Sequence, residues 1–390
     1  MELPYNPAIL EWARKRLRLA PEDVAHKASV STTKIIAWEH GEASPTVRQA
    51  RTLASIYDRP FLEFFAHAIP ELAPLEIAPD YRFHRNPPSS LETTALEGVQ
   101  AWAESQRLNA LDLYQEIGEP PDEIPVALRA SIANDPEDAA DRARAIVGPS
   151  VEKQVSLKSI DRPKFPSMLR DAFERAGVLV LKQSGLAKTR TRGICLYNPI
   201  LPTIVFGNES PGAQSFTLAH EFAHVALGES ALSGGPRSTK VMGSAGKRIE
   251  AWCNSFAAAF LMPRAAILSQ GNTPRHQIDE ISDYDLKELS KRFAVSRHAM
   301  LVRLVSLGKV HPSYYWRVKR AQFIQEEEEY EGGGRSPYYG SRYRNSLGDK
   351  YTGLVIEALE TGRIAPLTAA EFMGIKNVRH LVDIKEHFAK

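Results

Sequence analysis

Cysteine is scarce in this sequence: Cys195 and Cys253 are the two examples in 390 residues. That excludes a disulfide framework and any metal cluster built on Cys-x-x-Cys pairs, so a metal would have to be held by histidine and carboxylate. Long apolar runs are missing as well. The longest, Phe256 to Met262, falls far short of the roughly 20 residues a membrane-spanning helix needs, which excludes a membrane-embedded chain. There is no excess charge of one sign, since 49 Lys and Arg stand against 47 Asp and Glu, a formal net charge of +2. Such a balance does not suit a chain coated for non-specific nucleic-acid binding, so any DNA contact must be local. The opening residues, MELPYNPAIL, have neither the basic-then-apolar pattern of a leader nor an Arg-rich amphipathic stretch, and the expected location is the cytoplasm. What is present is ordinary for a globular protein: 43% apolar and 25% charged residues, and length enough for two or three domains.

Turn and cap residues divide the chain. Residues 1–68 read as a five-helix module. Ile9, Leu10, Ala13 and Leu17 form a stripe at helical spacing, Pro21 opens a second helix, and Ser31 caps a third over Thr32 to Glu39. Thr46 caps a fourth, and a fifth follows Pro60 with Phe61, Leu62, Phe64 and Phe65 as its apolar face. The second and third helices, joined by Ser29-Val30-Ser31, make a helix-turn-helix pattern. Residues 69–154, rich in Pro, Asp, Glu and Ala, read as a helical connector. Residues 155–275 carry strand-like runs at 177–182, 193–198 and 203–208, then two long helices. Residues 276–331 hold a second helix-turn-helix-like stretch, and residues 332–390 read as a helical extension that starts at Gly332-Gly333-Gly334. The predicted fold class is mostly α with a small β-sheet, an α+β chain.

The sharpest chemical signal is His220-Glu221-Phe222-Ala223-His224, of the form HExxH. Residues four apart share one face of a helix, so both imidazoles can point at one zinc ion with Glu221 beside the open coordination position. Phe216, Leu218, Phe222, Val225 and Leu227 make the helix apolar nearly all round, so these ionisable groups are expected to be buried. The pentamer alone also admits two core histidines bonded to backbone, with Glu221 paired to one of them. A third ligand decides. Position 230, where a longer motif would supply a histidine, is Ser230. Glu250 is the best candidate, because it shares a face with Asn254 on a second helix whose opposite face carries Trp252, Phe256 and Ala259. Asn254 could then hold a ring nitrogen of a ligand histidine. Cys253 lies beside this face and reads as a small buried residue rather than a ligand. With His220, His224 and Glu250 as ligands, a fourth position remains for water, whose pKa zinc lowers toward roughly 7, and Glu221 would act as the base of amide hydrolysis.

The runs FTLAHEFAHVALG and IEAWCNSFAAAFLMP, with an RGI/PTIVFGN region before them, resemble the ImmA/IrrE family of zinc metallopeptidases. The resemblance implies a minimal thermolysin-like zincin fold, Zn2+ on His220, His224 and Glu250, and Glu221 as the catalytic residue. It also implies cleavage of a repressor-type regulator, without naming one. The segment LRLAPEDVAHKASVSTTKIIAWEHGEASPTVRQARTLASIY resembles the Xre-type helix-turn-helix family. That implies an Arg14–Glu39 ion pair, Thr32, Thr33 and Ala37 facing base edges of duplex DNA, and Lys34 meeting phosphate. The sequence departs from that family at Pro21, where a DNA-contacting Gln is common, and its short base-facing side chains make poor bidentate contacts. Residues 1–66 carry nine Lys and Arg against eight Asp and Glu, so the module is barely basic. Its alternative role is homodimerisation or holding a partner. Arg297 and His298 in the second such pattern read as structural, and the tract from Arg335 to Arg344 as a loop. The function expected is a zinc endopeptidase fused to a DNA-binding module. The alternative is a repressor, or an antitoxin-like partner of a toxin protein, whose peptidase fold serves for binding.

Overall fold

The structure, a computed structural model, describes residues 5–17, 19–57, 59, 61–69, 90–189, 191–234, 244–330 and 338–388. The expected boundary at Gly332–Gly334, residues 70–89 of the expected connector, and Arg335 to Pro337 of the aromatic-basic tract lie outside these. No described helix is long and apolar enough to cross a membrane.

In the N-terminal unit, α1 (Pro7–Arg16), α2 (Pro21–Ala28), α3 (Thr32–Glu39) and α4 (Val47–Tyr57) surround a core of Ile9, Leu10, Val24, Ile35, Trp38, Leu53, Tyr57 and Phe64. Asn6 caps α1 by accepting from Ala8 N at 3.1 Å, and its Nδ2 donates to Ala66 O at 2.9 Å, which ties the two ends of the unit together. The fifth helix expected after Pro60 is instead a short 3-10 segment, Phe61–Phe65. Five residues, three of them Phe, are too few and too poor in helix propensity to nucleate an α-helix.

A long helix, α5 (Ser90–Ile117), belongs to the second compact unit from Trp102 onward. This unit holds α6 (Pro136–Val147), α7 (Val151–Val155), α8 (Phe165–Arg175), β1 (Leu179–Lys182), β2 (Thr191–Leu196), β3 (Thr203–Phe206) and α9 (Pro211–Leu227). They are followed by β4 (Ala231–Gly234), α10 (Ser244–Leu261), α11 (Arg264–Leu268), α12 (Asp283–Arg292) and α13 (Arg297–Ser306). The chain finishes with α14 (Arg320–Glu328), α15 (Tyr339–Glu360), α16 (Pro366–Phe372) and α17 (His380–Phe388). The described strands form one sheet in the order β1-β3-β2-β4, with β1 parallel to β3 and β2 antiparallel to both neighbours. Ile194 on β2 stands between Val205 on β3 and Leu232 on β4. The runs at 177–182, 193–198 and 203–208 thus supply β1, β2 and β3, and β4 is an addition. Its ALSG sequence is too short and too small to show alternation, and pairing with β2 makes it a strand.

α9 packs on the sheet and between α8 and α10. Phe222 stacks on Phe173 with ring centroids 4.1 Å apart, and both rings lie against Phe260 of α10. Truncating a buried Phe of this kind typically costs about 3–5 kcal/mol, so apolar packing rather than its polar residues holds α9 in place. The last carbonyls of α10 are taken by buried side chains from elsewhere. Arg144 donates to Phe260 O, Gln154 Nε2 to Leu261 O at 3.1 Å, and Arg303 Nε to Met262 O at 2.9 Å. Arg144 and Gln154 belong to α6 and α7, and Ala139, Ala140, Ala143 and Val147 of α6 join the same apolar core. This part of the expected connector is therefore built into the second unit.

β1 is one outer strand of the sheet. Its carbonyls at Val180 and Lys182 accept from Arg170 and from Ser346 Oγ of α15, the latter at 2.9 Å. Arg170 also donates to Asn345 O at 2.6 Å, and Glu174 accepts from the backbone N–H groups of Asp349 and Lys350 at 3.1 and 3.0 Å. The C-terminal extension thus covers one sheet edge, which leaves β4 as the other outermost described strand.

Candidate metal centre

α9 starts with Pro211 in its first turn and ends at Gly228, whose φ of 72° gives the left-handed cap that favours glycine. Between them the helix is buried almost all round: His224 and Glu221 are fully enclosed and His220 nearly so. His220 and His224 share a face and approach Glu250 of α10 together. Nε2 of His220 lies 3.4 Å from Glu250 Oε2, and Nε2 of His224 lies 3.3 Å from Oε1. One donor atom from each of the three residues falls within 4.8 Å of the others.

These residues fit a zinc ion. Tetrahedral ligands with bonds of about 2.0–2.1 Å stand roughly 3.3 Å apart along each edge, close to the 3.4 and 3.3 Å of the two His–Glu pairs, each measured to a different oxygen of the Glu250 carboxylate. Nε2 of His220 and Oε1 of Glu250 are buried and make no hydrogen bond of sound geometry, a costly state that a shared cation relieves. Burial pushes the Glu250 carboxyl up, yet His220 and His224 outweigh this and hold it at about 2, so it stays an anion. Burial likewise opposes the charge on both histidines. His224 is lowered by it, whereas the Glu250 carboxylate raises His220 in spite of it.

Asn254, one turn beyond Glu250, lies at the exposed rim of the site. It still reaches the ring: Oδ1 lies 3.1 Å from His220 Nδ1, and as an acceptor it keeps the proton there and Nε2 bare for a metal. Cys253 Sγ lies 3.7 Å from His224 Nδ1. Burial pushes this thiol far up, and its sulfur is not in the cluster of donor atoms. Ser230, at the position where a longer motif would have histidine, accepts from Tyr197 N at 2.9 Å and is structural.

Glu221 turns from the histidine face toward β2. A Cβ at Gly193 would overlap Oε1, Cδ and Cγ of Glu221, so the glycine leaves the space that this carboxylate fills. Sequence reading passed over Gly193, although a glycine inside a strand-like run is the signal for such a close approach. Gly193→Ala is expected to keep a full equivalent of zinc and to lower peptide cleavage by up to about 100-fold, the cost of misplacing a reacting group by an ångström. Metal analysis with a cleavage assay checks this, and unchanged turnover would show that the carboxylate needs no such space.

The residues expected to meet DNA lie together on α3, where Thr33 and Lys34 are exposed and Thr32 and Ala37 are half-buried. Beneath them Arg14 and Glu39 form a two-pronged pair, with Nε–Oε1 and Nη2–Oε2 both 2.7 Å. Arg297 and His298 are engaged by α14 instead: Arg297 pairs with Glu326 at 2.8 Å, and His298 Nδ1 lies 2.8 Å from Glu327.

Residues 173–305 match a family model, Peptidase_M78, the IrrE N-terminal-like domain. This region, which contains His220, His224 and Glu250, is therefore similar to a metallopeptidase domain of the ImmA/IrrE kind. No curated protein matches the chain.

Proposed function

We propose that the chain is a zinc-dependent metallo-endopeptidase of minimal zincin form, joined to an N-terminal Xre-type DNA-binding unit, and that it cleaves a repressor-type regulator. The observation that carries this is the convergence of two imidazoles and one carboxylate, with Glu221 next to them but outside the donor set. The match of residues 173–305 supports the same reading.

When bound, zinc supplies Lewis-acid activation of a water molecule and of the scissile carbonyl. His220, His224 and Glu250 hold it, and Asn254 keeps His220 in the tautomer that can do so. Glu221 takes a proton from the attacking water at its carboxylate and returns it to the nitrogen of the leaving amine. The enclosure of both histidines keeps bulk water out and strengthens these interactions. The peptide lies extended along β4. Gly193, which accommodates Glu221, is the register partner of Ser233 on β4, so a strand added to β4 runs two strand spacings, about 10 Å, from the β2 position that Glu221 packs against. The test is to compare cells with and without the intact gene for fragments of repressor-type regulators. Fragments that depend on the gene support cleavage, and their absence under every inducing condition removes it.

The N-terminal unit binds duplex DNA in this reading, supported by the α2-turn-α3 arrangement and the exposed Thr33 and Lys34. Its short base-facing side chains and near-neutral charge predict weak, salt-sensitive binding. A mobility shift with the region upstream of its own gene should appear at low salt and vanish when residues 1–66 are deleted. No shift, or one indifferent to that deletion, would remove the DNA-binding role.

A further inference from the structure

α10 meets both ligand histidines from two sides. Glu250 faces Nε2 of His220 and of His224, while Asn254 and Cys253, one turn further along, face the Nδ1 atoms of the same two rings. The Cys253 sulfur lies 3.7 Å from His224 Nδ1 and is fully buried. With Nε2 committed to a metal, the proton of a neutral imidazole sits on Nδ1, and sulfur can accept it.

We propose that Cys253 is a positioning residue for the metal, its sulfur accepting a hydrogen bond from Nδ1–H of His224 and so fixing that ring's tautomer and direction. This rests on the metal-binding reading above. The two histidines are then held unequally, His220 by an amide oxygen at the exposed rim and His224 by a thiol in the core. Sulfur does not ligate the ion itself, because its place is on the far side of the ring from Nε2 and outside the donor cluster.

The test is zinc affinity of the full chain, measured by competition with a chromophoric chelator for wild type, Cys253→Val, Cys253→Ala and Cys253→Ser. Ala removes the acceptor with a smaller side chain and Val removes it with one a methyl group larger, whereas Ser keeps an acceptor at close to the size of the thiol. Val and Ala should bind zinc about 10-fold or more weakly, while Ser keeps most of the affinity. A residue needed only for packing would give the opposite order, with Val near wild type and Ser weakest. Thermal unfolding of the metal-free forms identifies any variant that has lost its fold, and Val and Ser each decide the matter if Ala has. Cobalt(II) is the second probe, and wild type should show no thiolate-to-metal charge-transfer band. Such a band, or a Val variant as tight as wild type, overturns the inference. Wild type that binds no zinc at all overturns the metal-binding reading and this inference with it.

Discussion

Purified wild-type protein is expected to carry one zinc per chain, and His220→Ala or Glu250→Ala to carry almost none. Each substitution removes one of three protein ligands, and two donors do not hold zinc against water and competing chelators. The effect should be much larger than for Asn254→Ala, which leaves all three donors in place and should weaken binding by about 10- to 100-fold. Glu250→Ala has a second expected consequence. The carboxylate opposes the effect of burial on His220, so its loss removes what raises that imidazole and favours the neutral ring. The fold should survive, because Phe173, Phe222 and Phe260 hold α8, α9 and α10 together independently of the ligands. Elemental analysis of folded protein, checked by circular dichroism, is the measurement. A full equivalent of zinc in both variants would overturn the ligand assignment.

Glu221→Gln is expected to separate hydrolysis from metal binding. Glu221 lies outside the donor cluster, so zinc content should match wild type. Gln has nearly the same volume, so it fits the space left by Gly193 without strain. It cannot accept the proton of the attacking water, and cleavage should fall by at least about 100-fold, the usual minimum contribution of a positioned general base. Levels of the target regulator and of transcription from its promoter would be compared in cells carrying either form. The DNA binding proposed for the N-terminal unit, which does not depend on this carboxylate, should be unaffected. If wild type and variant behave alike in every assay although both hold zinc, the peptidase reading fails, and a role in binding a partner takes its place.

The candidate donor group of His220, His224 and Glu250 was legible because helical periodicity does the geometric work. Two histidines four apart must share a face of α9, and Glu250 and Asn254 four apart must share a face of α10. The first helix was legible from its apolar stripe, and the next three from Pro21, Ser31 and Thr46 at their starts. Local rules fail where the answer depends on a distant neighbour. Nothing within ALSG announces β4, since its strand character comes from pairing with β2. The Pro- and Ala-rich stretch around α6 looked like a connector because its small residues make a weak apolar stripe. It is the fit of Ala140 and Ala143 into the core beside α10 that makes it part of the second unit.

The sequence by itself determined which residue types could hold a metal, which faces they occupy and which helices carry them, because these follow from composition and a fixed helical period. Only the tertiary structure decided that the two helices meet with His–Glu separations of 3.3 and 3.4 Å, that Gly193 of β2 makes room for Glu221, and that Cys253 backs His224. These contacts join residues from 26 to 30 positions apart in the chain. They arise from buried aromatic packing and strand pairing, whose partners no local period can name.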